Sequence, residues 1–482
     1  SYCEGDHPFS QLDGTDLLPE VLIGRISIRS SAELGVVVNK IINYEKATYL
    51  SQISSYYEKA ALAGDPYDSG VSCAISKEYV AEVMNSNGMD DIRLKTSGSS
   101  WSSWMRNQLD EGVLYFNYRG YVGVSGFDNG DIDAANNGYK LPFASVLTCG
   151  PGSFAEENTC LSEKFLRAGS ISNPKGGIAA IATATWNTHT LFNNIVDMGI
   201  YDGIFSDGVE TAGAALAKGK LALYMTYPTN PDLWVSAFTH WNNLMGDPAT
   251  HLWSDTPQEL FVEFPASINY GTNLVDITVI DENNNPVEDA MVTLFDVTQD
   301  SVKTRPTAGT GMVTFSLPPS YTNDLSVTVT KKNYKPFEGA ITIVNNDINL
   351  SLSIVDEIII DDSNGNSDGL LNPGEMINLQ IPVSNLGVSD AENISAVISS
   401  TSDVITIEQG QSNYELIPAG ESIYGGNFTI TVSLSAVDRE NLGLRLNMQD
   451  TSNEWVSYVP VRVNGSNLVI NGTVVEGDGE LN

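Results

Sequence analysis

The chain has 482 residues, a net charge of -36 and four cysteines. That length exceeds a single core and predicts about three or four domains. So acidic a surface argues against nucleic acid or an anionic membrane as partner, and no window approaches the roughly 18 apolar residues of a membrane-spanning helix.

The charge is uneven. Residues 1–256 carry 16 basic and 29 acidic side chains, and residues 257–482 carry 8 and 31. An acidic carboxyl-terminal half suits salty or calcium-containing surroundings. The opening Ser1-Tyr-Cys-Glu-Gly5 is polar and turn-like, not a leader, so a mature or trimmed segment is expected. Cys3, Cys73, Cys149 and Cys160 show no C-x-x-C metal spacing and no dense disulfide framework.

Residues 1–256 read as α/β. Ser30-x-x-Glu33 has the form of a capping box, and Leu34, Val37, Ile41 and Tyr44 recur at helical spacing behind it. Val113–Tyr118, Phe143–Thr148 and Ile178–Thr185 are short continuous apolar runs, as parallel strands buried on both faces are. Leu161–Arg167 reads as a helix between the second and third runs. Ligands in such a fold gather at the carboxyl ends of the strands, where Tyr121, Cys149 and the loop after Thr185 all fall.

Cys149 sits where a core strand opens into Gly150-Pro-Gly-Ser153, a turn that lets backbone approach a substrate carbonyl. It fits a nucleophile, with Gly150 and Gly152 as oxyanion donors; a Cys149–Cys160 disulfide is the structural alternative. Asp65 and Asp68, in Gly64-Asp-Pro-Tyr-Asp-Ser-Gly70, read as an acidic turn.

From about Phe261 the texture alternates at period two between Asn, Gly, Pro and Asp turns, as in β-sandwiches. The expected modules are 257–347 and 348–466, with a further repeat beginning at 467–482, where Asp478-Gly-Glu-Leu-Asn482 echoes Asp368-Gly-Leu-Leu-Asn372. Asn364-x-Asn366-x-Asp368-Gly369-x5-Glu375, with Asp362 adding charge, has the spacing of a calcium loop of oxygen ligands. Its alternative is a solvated acidic hairpin.

Several of these segments together resemble the gingipain-type cysteine peptidases, secreted bacterial enzymes of caspase-like fold. They are Leu12-Asp-Gly-Thr-Asp-Leu-Leu-Pro-Glu-Val-Leu-Ile-Gly-Arg25, Val38–Glu45, Thr148-Cys-Gly-Pro-Gly-Ser-Phe154 with Cys160, and Trp241-Asn-Asn-Leu-Met-Gly-Asp-Pro248. The resemblance implies a caspase-like α/β parallel-sheet domain over 1–256, lacking the family's further amino-terminal portion, followed by tandem all-β immunoglobulin-like sandwich modules. A cleaved amino-terminal portion would be a partner, beside a protein substrate or surface partner. The resemblance also puts Asp65 and Asp68 where the family has an acidic specificity loop, which would favour a basic residue before the cut bond; the alternative is a solvated turn. The family's catalytic histidine lies in an N-Y-x-G-H-G pattern. Here Asn117-Tyr-Arg-Gly-Tyr-Val-Gly123 puts Tyr121 in its place, a poor base at neutral pH.

Of the four histidines, His189 follows the next core strand, in Thr185-Trp-Asn-Thr-His-Thr190. It is the candidate replacement base; the alternative is a loop histidine bonded to backbone or packed on Trp186, itself a candidate substrate contact. Two functions follow: a secreted cysteine endopeptidase, or an inactive homologue serving as an extracellular adhesion, surface-layer or filament scaffold.

Overall fold

The computed structural model describes residues 4–465 apart from 157, 187, 230, 297, 299, 346 and 347. The repeat expected at 467–482 lies outside the described residues. The chain divides into two compact units, Ser1–Glu259 with Lys331–Pro336, and Leu260–Thr330 with Phe337–Asn482.

The first unit is built on six strands: β1 (Lys59–Gly64), β2 (Asp91–Lys95), β3 (Tyr115–Arg119), β4 (Phe143–Val146), β5 (Ala179–Thr183) and β6 (Asn242–Met245). Their order is β2-β1-β3-β4-β5-β6, parallel throughout except for the antiparallel β5–β6 pair. Residues in β3, β4 and β5 are buried without alternation because helices cover both faces. Leu62, Tyr115, Phe143 and Ile181 pack with the helices Thr190–Phe205 and Ala212–Thr226. Ala61, Phe116, Ala144 and Ala180 point the other way, onto Trp101–Glu111 and Leu161–Arg167.

Ser30 caps the first long helix, Ser31–Glu45, by accepting the Glu33 N–H at 3.2 Å, while Glu33 reaches back to the Arg29 N–H and not to Ser30. Val37 and Tyr44 of the expected stripe are buried, but Leu34 is exposed. Two segments read separately from the sequence meet at β6. Arg25 hydrogen-bonds both ways with Leu244 and Gly246, and a Cβ on Gly24 would stand 2.4 Å from the Gly246 carbonyl oxygen.

Deep in this unit, Lys77 and Asp197 form a fully buried ion pair joined by Asn117 of β3, whose amide donates to Asp197 at 2.6 Å and to the Ser145 hydroxyl at 2.5 Å. Burial, only partly offset by Asp197, still pulls the Lys77 ammonium down to about 8.

The second unit holds antiparallel sheets with strands from Phe261–Glu263 to Glu454–Tyr458. Residues 267–344 build a five-stranded sheet and, with Phe261–Glu263, a three-stranded one. In residues 352–458 the alternating inward side chains of Met376–Asn385, Ala391–Ser399, Ser422–Val432 and Arg445–Gln449 form one core between two sheets.

Two buried histidines of the first unit are held neutral. Burial drives His7 down to about 3, helped by Lys220 and His240, and drives His251 down to about 4, helped by Lys332. Both folded values lie below the free-histidine value, so their stabilisation is complete above about pH 6.5 and is lost as pH falls towards 4 and 3. Denaturant titrations from pH 7.5 to 4 are expected to show a loss on the order of a few kcal/mol, reduced in His7→Gln.

Candidate active site

β3 and β4 stay paired beyond their ends. The Cys149 N–H donates to the Tyr121 carbonyl at 3.4 Å and the Gly123 N–H donates to the Cys149 carbonyl at 3.0 Å, forming a parallel bridge between Val122 and Cys149. The Thr148 hydroxyl adds a bond to the Gly123 carbonyl at 2.7 Å. Tyr121 is thus fixed by its backbone beside Cys149, while its side chain is half exposed.

The thiol itself is buried, and its Sγ lies 2.9 Å from the Thr188 hydroxyl. The loop after β5 therefore does reach Cys149, but through Thr188, a residue the sequence reading did not single out. His189 next to it is exposed and caps the helix Thr190–Phe205, its Nδ1 accepting the Leu191 N–H at 3.2 Å and its ring meeting Phe192 edge-on. This geometry matches the backbone-bonded alternative for His189.

Gly150 has φ +97°, and a Cβ there would lie 2.6 Å from the Trp186 ring. The indole thus lies directly on the Gly150 backbone, and its N–H donates to Glu156 at 2.7 Å. Among the described residues the Gly150 N–H has no protein partner. Gly152 is different: its N–H is spent on the Thr183 carbonyl at 3.0 Å, so it cannot serve as the second oxyanion donor. Cys73, Cys149 and Cys160 are all free thiols, which removes the Cys149–Cys160 disulfide alternative.

A cleft of about 550 Å³ opens beside Gly150, with Val124, Phe127 and Leu161 as apolar lining and Asp128, Glu156 and Trp186 around it. Burial pushes the Cys160 thiol at its edge up to about 11.

The profile of Peptidase family C25 matches residues 1–253, more than half of the chain. The chain belongs to peptidase family C25. Gingipain R2 of Porphyromonas gingivalis is 22% identical over 285 residues, which are 57% of this chain and 38% of the relative. Gingipain R1 of the same species is 23% identical over 286 residues, 57% of this chain and 28% of the relative. The chain therefore spans well under half the length of these curated relatives.

Among solved structures, the Arg-specific cysteine proteinase gingipain R superposes with a TM-score of 0.62 at 21% identity, over 70% of this chain and 79% of that one. The complex of the pro- and mature domains of the P. gingivalis protein RgpB gives 0.60 at 21% identity, over 70% and 81%. These likenesses establish a shared fold.

Within the C25 domain, the structure separates Asp65 from Asp68. Asp65, at the end of β1, is buried and its carboxylate is occupied by the Tyr67 N–H at 3.0 Å and by the Ser125 hydroxyl. Its neighbourhood is a different cleft of about 490 Å³ with Tyr67, Trp101, Ser99, Ser100, Ser102, Ser103 and Ser125. Asp68 is an exposed turn residue with φ +59°. Neither lines the cleft beside Gly150.

In the second unit, the acidic loop closes on itself. The buried Asp362 accepts the N–H groups of Asp368 at 2.8 Å and Gly369 at 3.2 Å, and Glu375 accepts those of Asn366 at 3.1 Å and Asn372 at 3.2 Å. Asn364 stands exposed on the same loop. The Leu370 N–H holds the Asp368 carboxyl below its usual range. Oxygen donors alone fit a hard cation. Even so, among the described residues no three His, Cys, Asp or Glu side chains are grouped to hold a metal ion.

Alanine at position 150 would need a positive φ and would strike Trp186. Gly150→Ala is expected to cost about 1–3 kcal/mol or to lift the indole off the loop. Tryptophan emission, compared with the Trp186→Phe variant, reads which occurs; unchanged emission and melting temperature would contradict this packing.

Proposed function

We propose that the chain is a cysteine endopeptidase in which Cys149 is the nucleophile and His189 supplies the imidazole. The observation that carries this reading is the Thr188 hydroxyl on the Cys149 sulfur, because it brings the loop bearing His189 to the thiol. As thiolate, Cys149 would attack the substrate carbonyl, the Gly150 N–H would receive the developing oxyanion, and the imidazolium would protonate the departing amine. His189 must first leave its cap on Leu191, at a cost of about 1 kcal/mol, and Trp186 must move off Gly150. The cleft beside Gly150, with its apolar lining and the carboxylates of Asp128 and Glu156, would take a substrate side chain.

A secreted or cell-surface setting accords with the resemblance and with the charge of -36. A pro- and mature-domain complex among the similar structures supports association with a separate amino-terminal portion.

A second reading, an inactive homologue acting as an adhesion, surface-layer or filament scaffold, is favoured by Tyr121 at the family's histidine position. Labelling by an acyloxymethyl ketone probe separates the two. The peptidase reading expects labelling lost in Cys149→Ala and turnover about 10²–10⁴-fold lower in His189→Ala. Labelling of the native chain no faster than of the unfolded chain would leave the scaffold.

The loop 362–375 is proposed to bind calcium structurally, through Asp362, Asn364, Asn366, Asp368 and Glu375. Calcium at about 100 times its dissociation constant adds about 2.7 kcal/mol of stability, visible as a raised melting temperature that Glu375→Gln should abolish. A melting temperature indifferent to millimolar calcium would sink this assignment.

A further inference from the structure

We propose that Arg119 is a positioning residue for the thiol, anchoring the first turn of the helix Thr190–Phe205 so that the Thr188 hydroxyl stays against Cys149 and His189 stays at the helix cap beside it. The inference rests on the peptidase reading of Cys149. Arg119 ends β3, two residues before Tyr121, and its side chain is fully buried. Its Nε donates to the Asn194 side-chain oxygen at 2.8 Å and its Nη2 to the Thr190 carbonyl at 3.0 Å. Three consecutive residues are thereby committed: the Thr188 hydroxyl to the thiol, the His189 ring to the helix cap, and the Thr190 carbonyl to the guanidinium.

The placement is costly for an arginine. Its Nη1 is buried without a partner, and Asp197, the carboxylate one turn further along the same helix, pairs with Lys77 instead. A buried guanidinium without a carboxylate is worse for stability than an apolar side chain of similar size. What the apolar chain cannot do is grip two groups of one helical turn with a rigid fork of donors.

That grip links the end of β3 to the loop after β5, which are separated in the sheet by the strand that carries Cys149. The Arg119 backbone is engaged as well, its carbonyl accepting the Asp65 N–H at 2.9 Å.

The test uses the full chain with 15N-labelled histidine, since only four histidines contribute signals. In Arg119→Met the His189 ring signals are expected to shift. Alkylation of Cys149 by iodoacetamide should slow on the order of tenfold to a hundredfold. Arg119→Lys keeps the charge and loses the fork that holds Asn194 and Thr190, so its His189 signals should shift as well. Lys77→Met perturbs the same buried layer without touching Thr190 and should leave the His189 signals in place.

A folded Arg119→Met with native His189 signals and a native alkylation rate would overturn the proposal. If Arg119→Met does not fold, unchanged His189 signals in Arg119→Lys do so. If Cys149 of the native chain reacts no faster than in urea, the peptidase reading fails, while the His189 signals still decide the role of Arg119.

Discussion

The site depends on the parallel pairing of β3 and β4 being carried past the last regular residue of each strand. Two backbone hydrogen bonds, from Cys149 to Tyr121 and from Gly123 to Cys149, hold the thiol's residue and the aromatic one in fixed register. Because the constraint is made by main-chain groups, it is indifferent to the side chain at 121. A histidine or a tyrosine would be delivered to the same place.

The side of the site facing β5 is held differently, by side chains. Thr188 touches the sulfur, His189 closes the helix, and Trp186 lies on Gly150 with its N–H tied to Glu156. Behind them runs a buried polar layer of Asn117, Lys77, Asp197, Asn194 and Arg119. Polar groups in such a layer must each find a partner, so they specify the relative placement of β3 and the helix Thr190–Phe205 more sharply than apolar packing would. The unpaired Nη1 of Arg119 is the one departure from full satisfaction in that layer among the described residues.

Much of the α/β frame was legible because its signals are local. The runs that became β3, β4 and β5 are continuously apolar, and the helix Leu161–Arg167 begins and ends where its sequence pattern does. β1 escaped notice because Lys59-Ala-Ala-Leu-Ala-Gly64 is dominated by alanine, whose burial on two faces leaves no β-branched or aromatic mark. The antiparallel β6 was hidden in the segment recognised by its resemblance and not by its pattern. Val122 and Gly123 gave no sign that they would extend the ladder, since backbone pairing carries no residue code.

By itself, the sequence determined that a thiol would stand at the carboxyl edge of a buried parallel sheet and that strand-rich acidic segments follow. These are matters of residue type, period and spacing. Only the tertiary structure decided that Thr188 and not His189 meets the sulfur, that Gly152 spends its N–H on Thr183, that Asp65 and Asp68 lie away from the cleft beside Gly150, and that Arg119 reaches the helix after β5. Each of these is a contact between segments distant in sequence, chosen by the strand order and by competition for hydrogen-bond partners in a space closed to water.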